Sequence, residues 1–377
     1  VFLKQLHIYA FLINFATLSA QNGMTGSKNF YIKVAPTYGY IFEHRSTIGN
    51  LVHGYAPGLE LDFLKPTYGN KKWHKEHNFP EVGLSFNFIN FANPKQLGYC
   101  FALSPFIDIP LIKKPKNTRL YMRICWGAAY VTKHYDVNKN PKNIAIGSAL
   151  NTYVQCKWFW HINLNKKIRL EPGFSFAHTS NGRAEVPNLG LNVVSLNLGI
   201  TYKLKNDVVH APLQDSGSLW GSKHELVIWD AVGFNENEPP NGQKYFANTF
   251  GINYYYNKKN THKFGAGADV AYDTQNAYHL ETSGHPSNGW TDLLQLGVKL
   301  CYSYNIGRVS LPIEMGYYAI SKPKEDGPIF HRIGIRYYCK NGLMFNFTLK
   351  SHWAVASHFD YGFGYRFNLK KKRTLEN

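Results

Sequence analysis

Long apolar runs are missing from this 377-residue chain, which excludes an architecture built on membrane-spanning helices. The one apolar stretch near the start, Ile8–Ala16, is too short, because a spanning helix needs ~20 such residues. Cysteine is scarce as well. Cys100, Cys125, Cys156, Cys301 and Cys339 stand far apart and form no CxxC pair, so they support neither a zinc site nor a redox motif. An odd count in an exported protein leaves at least one free thiol, and we expect most of the five to pack as small hydrophobes. Acidic residues are outnumbered, 24 Asp and Glu against 42 Lys and Arg, for a net charge of +18. Solvated Lys-rich loops account for that balance, and so does attraction to a phosphate-rich surface such as anionic lipid. Apart from the Lys370–Arg373 tail the cations are spread along the chain, and no nucleic acid is expected as a partner.

Aromatic residues are abundant: 26 Tyr, 25 Phe and 8 Trp. Tyr and Phe favour strands, and aromatic rings collect where protein meets the membrane–water interface. Together with 32 Gly they suit strands and turns. Lys4, the Ile8–Ala16 run and the small residues up to Ala20 read as a secretory signal peptide over 1–20, cleaved near Ala20.

The body of the chain alternates with period two. Val82, Leu84, Phe86 and Phe88 alternate with Gly83, Ser85 and Asn87; Leu294–Tyr302, Ile333–Tyr337 and Leu343–Leu349 behave alike. Helical spacing would put apolar residues three and four apart. The closing segment is sharpest, with Tyr361, Phe363, Tyr365 and Phe367 on one face and Gly362, Gly364 and Arg366 on the other. Such a terminal strand is similar to the signal by which barrel-insertion machinery, an expected partner, recognises its substrates. The pattern predicts an all-β, antiparallel transmembrane outer-membrane β-barrel of about 14 to 16 strands. Its parts are a barrel half over 28–205, a connecting loop over 206–222, further strands over 223–367 and a basic tail over 368–377. Localisation in a Gram-negative outer membrane, among membrane lipids, follows from that reading.

One hairpin breaks the alternation. On the strand from Ile168, the apolar face Ile168, Leu170, Pro172, Phe174, Phe176 finishes with His178 and Ser180. The next strand carries Val194, Leu196, Leu198, Ile200 and Tyr202 on one face, with Asn192 at its start. Because side chains alternate strictly, His178 and Ser180 are neighbours on the lipid-facing side, and Asn192 can lie beside them. A Ser hydroxyl becomes a good nucleophile when an imidazole accepts its proton, and a third group fixes the imidazole's tautomer. Taken alone, His-x-Ser at a membrane boundary reads as an ordinary polar pair.

The stretch Gly173-Phe-Ser-Phe-Ala-His-Thr-Ser-Asn-Gly182, followed by Pro187-Asn-Leu-Gly190 and Leu196-Asn-Leu-Gly199, resembles the lipid A 3-O-deacylases (PagL-type), whose Bacteroidetes relatives are labelled acyloxyacyl hydrolases. Ile144-Ala-Ile-Gly-Ser-Ala-Leu-Asn151 looks like the same family. The resemblance implies an outer-membrane carboxylic ester hydrolase acting on lipid A within lipopolysaccharide. Ser180 would be its nucleophile and His178 its general base. Asn181, Gly182, Asn188 and Gly190 would form or support the oxyanion site. The family's orienting Glu falls at Asn192, and Glu185 in the loop is a candidate substitute acid. The scheme requires no cofactor and no metal. Family members are eight-stranded, so this chain has either a larger barrel or an added half. The alternative is a non-catalytic porin or structural barrel, with lumen-facing Lys299, Arg332, Arg336 and Arg366 attracting anions. Homodimerisation is left open.

Overall fold

The computed structural model describes residues 30–112, 118–204, 222–324 and 326–369. The expected signal peptide, nearly all of the 206–222 connection and the tail beyond Leu369 lie outside the described residues. Among the described residues there are sixteen antiparallel strands, and they close as two barrels of eight rather than as one larger barrel. The first comprises β1 Tyr31–Ile41, β2 Tyr55–Pro66, β3 Glu81–Asn90, β4 Tyr99–Pro110, β5 Thr118–Val131, β6 Leu150–Asn163, β7 Ile168–Ser180 and β8 Leu191–Lys203. The second comprises β9 His224–Glu236, β10 Lys244–Lys259, β11 His262–Asp273, β12 Leu294–Ile306, β13 Val309–Ser321, β14 Ile329–Tyr338, β15 Leu343–His352 and β16 Val355–Leu369. Two compact units result. One runs to Asn181 and resumes at Pro187; the other holds Gly182–Val186 and the second barrel.

Within each barrel every strand pairs with its sequence neighbour, and the first pairs with the last: β1 with β8, β9 with β16. Closure leaves no open edge, so every interior strand group finds a ladder partner without water. The alternation seen in the sequence is the inside–outside alternation of these strands. Leu84 and Phe86 point outward from β3, while Ser85 and Asn87 are buried inside. The outer surface carries Leu196, Leu198 and Ile200 on β8 and Val298, Leu300 and Ile313 on the second barrel, all exposed. A contiguous apolar outer face of this kind is what a lipid-exposed barrel requires.

The interiors are polar and filled. In the first barrel the Lys33 ammonium lies 3.1 Å from both Glu60 and Asp62 and 3.3 Å from Glu171. Arg123 pairs with Asp62 and Asp108 at 2.7 Å, and stacks 3.5 Å from the Phe106 ring centre. Lys157 closes on Glu60 at 2.9 Å. In the second barrel Lys299 bridges Asp269 and Glu314 at 2.6 and 2.7 Å, and Arg332 bridges Asp269 and Asp360 at 2.6 and 2.7 Å. Arg336 pairs with Glu314 at 2.7 Å and Arg366 with Glu225 at 3.8 Å. An eight-stranded barrel is just wide enough for side chains to fill it. Lys299, Arg332, Arg336 and Arg366 are therefore neutralised by buried carboxylates rather than lining an anion path, which removes the feature that had favoured a pore. All five cysteines are free thiols, and Cys100, Cys125 and Cys301 are buried.

Loops that follow the odd strands of the first barrel share one end, and they carry their own apolar core. Ile48, Phe91, Leu97, Ala145, Ile146 and Leu191 are all fully buried there. Each such Leu, Ile or Phe contributes ~1.5–3 kcal/mol, so this end is a packed cap that can hold side chains in fixed positions. β7 is the seventh strand, and its loop belongs to this end.

Glu60 is the anion shared by Lys33, Arg123 and Lys157. Glu60→Gln should lower the stability of the first barrel by ~3–5 kcal/mol, since breaking a buried pair strands its partners. Urea titration of the protein in lipid vesicles checks this; a loss below ~1 kcal/mol would mean that the interior is hydrated rather than ion-paired.

Candidate active site

The site begins with a strand pair. β7 and β8 are in register so that His178 lies directly opposite Asn192, and Thr179 opposite Leu191. On the other side of β7, Ser180 faces Thr152 and His178 faces Val154 of β6. The outward phase of β7 carries exposed Phe174 and Phe176, then half-buried His178, then Ser180, which is 7% exposed. The apolar face thus ends in a polar pair at the capped end, as the sequence pattern anticipated, and Ser180 is buried there.

Side-chain geometry joins the residues. His178 Nε2 lies 2.9 Å from Ser180 Oγ, and His178 Nδ1 lies 2.6 Å from Asn192 Oδ1. An amide oxygen accepts, so Nδ1 carries the proton and donates it to Asn192. That leaves the lone pair on Nε2, aimed at the serine hydroxyl. This is the tautomer in which an imidazole can take the serine proton.

Gly190 explains the Asn-x-Gly element. Its φ is +77°, in the left-handed region. A Cβ there would sit 2.7 Å from His178 Cε1 and 3.3 Å from Ser180 Cβ. The glycine lets the loop close over the imidazole without displacing it. Its N–H donates to the Ala145 carbonyl at 2.9 Å, so the 144–151 segment forms one wall of the site. From that same segment Ser148 accepts the Asn181 side-chain amide at 2.9 Å. The Asn181 backbone N–H donates to Asn188 Oδ1 at 3.1 Å. The Asn181 backbone and side-chain N–H groups are thus engaged in holding the loop, and the Asn188 amide is tied through its oxygen.

Gly182 and Glu185 fall in the second unit. Glu185 lies 3.7 Å from the Lys244 ammonium there, and the group on His178 Nδ1 is Asn192. Among the described residues no group of three His, Cys, Asp or Glu is placed to hold a metal ion. At the end of β15, the seventh strand of the second barrel, the outward phase holds Leu349 and Ser351 where β7 has His178 and Ser180.

One contact was not anticipated. His44, in the connection after β1, lies with Nδ1 2.9 Å from Asn192 Nδ2 and Nε2 3.0 Å from the Leu189 carbonyl. No local motif marks it, because it stands far from the hairpin in sequence. Barrel closure brings it there: Ile41 pairs with Val193, and Phe42 N donates to Asn192 O at 2.8 Å.

Residues 58–201 match the family model described as lipid A 3-O-deacylase (PagL), and residues 224–369 match that described as acyloxyacyl hydrolase, C-terminal domain. The division between the two matches falls between the two barrels. No curated protein matches the chain. Among solved structures, Neisserial surface protein A is similar over 47% of this chain and all of its own, at 10% identity and a TM-score of 0.29. A mutant Rh. blastica porin is similar over 90% of this chain and 99% of its own, at 10% identity and a TM-score of 0.17. The two family matches cover most of the chain and include every residue of the Ser180–His178–Asn192 group. The chain belongs to the lipid A 3-O-deacylase (PagL) family, a family of ester hydrolases.

Proposed function

We propose that this protein is an outer-membrane serine esterase that removes the acyl chain ester-linked at the 3-O position of lipid A. The observation that carries the proposal is the hydrogen-bonded series from Ser180 through His178 to Asn192, on the outward face of the first barrel. A lipid ester reaches that face from the surrounding leaflet without leaving the membrane. The apolar outer surface on both barrels supports the location. Exposed Arg45, Lys95, Lys133, Lys139 and Lys142, on the loops at the site's end and set against Glu43 and Asp136, suit a substrate that carries phosphates.

In the first half-reaction Ser180 Oγ attacks the acyl carbonyl while His178 Nε2 takes its proton. The tetrahedral intermediate collapses, and His178 returns the proton to the departing sugar oxygen. An acyl-serine remains. Water then attacks that ester with His178 again as base, and the fatty acid leaves with Ser180 restored. The Asn188 amide, whose oxygen accepts from the Asn181 N–H, is the group we assign to stabilising the oxyanion through its NH₂ end.

Asn192 in place of an acid removes a full negative charge from beside the imidazolium. In a serine protease, Asp-to-Asn replacement costs about 10⁴ in rate because the imidazole takes the wrong tautomer. Here the amide oxygen faces Nδ1, so the tautomer is right and the loss is confined to charge stabilisation.

Two outcomes test the proposal. Lipid A from cells expressing the protein should lose the mass of one hydroxyacyl chain, and Ser180→Ala should restore the parent spectrum; identical spectra for the two proteins would end the reading. Gly190→Ala should cut hydrolysis of a soluble ester by about 10²-fold, the scale expected when a reacting group is displaced by about 1 Å. An unchanged rate would show that the imidazole does not depend on this close approach.

A further inference from the structure

His44 deepens this reading and rests on it. Its Nε2 lies 3.0 Å from the Leu189 carbonyl oxygen. A carbonyl can only accept, so Nε2 bears the proton and neutral His44 presents a lone pair at Nδ1. That lone pair lies 2.9 Å from Asn192 Nδ2 and accepts from it. The amide is then sorted: its NH₂ end belongs to His44 and its oxygen must face His178, where it stands 2.6 Å from Nδ1. His178 is held with its proton on Nδ1, and Nε2 is left to accept from Ser180. Four hydrogen bonds therefore run in one direction, each donor pointing toward the Leu189 carbonyl.

We propose that His44 is the positioning residue that allows a neutral Asn to stand where the family carries an acid. A carboxylate presents an acceptor whichever way it turns, so it needs no sorting. An amide is nearly symmetric in shape but opposite in polarity at its two ends. Turned round, Asn192 would offer a donor to His178 Nδ1, force the proton to Nε2, and leave the serine without a base. A backbone carbonyl cannot titrate or rotate away from its own strand turn, which makes it a dependable origin for the series. Leu189 supplies that carbonyl from within the Asn188–Gly190 element that also closes over the imidazole.

The proposal predicts coupling between two positions. In the Asn192 background, His44→Ala should lower kcat for a soluble ester at least about tenfold with little change in KM, because only the correctly turned fraction of the protein is competent. His44→Gln, which keeps one acceptor and one donor, should recover part of the loss. In an Asn192→Asp background the same His44→Ala change should cost little. Equal losses in both backgrounds, or no loss in the first, would overturn the role. A second readout does not depend on turnover. Nitrogen NMR of imidazole-labelled protein should show His178 Nε2 unprotonated in the parent, and mixed between tautomers in His44→Ala. An unchanged His178 signal in a folded variant would overturn the role as well. Ser180→Ala separates the two ideas: if it hydrolyses ester at the parent rate, the esterase reading fails while the tautomer measurement still decides the role of His44.

Discussion

Closure of the eight-stranded ladder is the constraint on which the rest depends. A lipid environment offers no hydrogen bonds to an open strand edge, so β1 must pair with β8 and β9 with β16. Strand pleating sends successive side chains to opposite faces, and closure makes those faces an inside and an outside. An interior this narrow holds only what packs and pairs, hence the buried network around Glu60 and Arg123 in one barrel and around Glu314 and Arg332 in the other. The outer faces are correspondingly apolar. The same closure carries the chain after β1 back beside the start of β8, where His44 meets Asn192.

The site uses two levels of this architecture. Strand alternation puts His178 and Ser180 on one face, and register puts Asn192 across from His178. Those relations are rigid because they are part of a ladder. The cap then adds what the ladder cannot: Gly190 closing on the imidazole, Ala145 and Ser148 holding the loop, and His44 turning the amide. A neutral orienting residue becomes workable when the surrounding groups fix which of its ends faces the base.

Much of this was legible in the sequence. The segments around Phe86, Val298, Ile335, Phe347 and Phe363 alternate, and each is a strand; on the apolar phases most side chains are at least partly exposed, while Tyr337 and Phe347 are buried. The hairpin strand read as Lys167–Ser180 runs Ile168–Ser180, and His178 lies within hydrogen-bond distance of both Ser180 and Asn192, as the alternation suggested. The partition into two barrels was not legible, because closure pairs strands roughly 160 residues apart in the first barrel and roughly 140 in the second, and leaves no local mark. Strand count alone suits one barrel of sixteen or two of eight. His44 was hidden for the same reason. The polar interior was visible as Lys and Arg on inward phases, but the carboxylates that neutralise them come from other strands. Only the folded barrel shows that the charges cancel rather than line a path.

The most direct measurement is covalent capture of the nucleophile. The full-length protein in detergent micelles would be treated with a fluorophosphonate, digested, and its peptides weighed. The expected result is one adduct, on Ser180, lost in His178→Ala and suppressed when lipid A is added first. An unlabelled Ser180, or labelling of it that neither His178→Ala nor lipid A alters, would contradict a serine esterase working on lipid A from this face of the barrel.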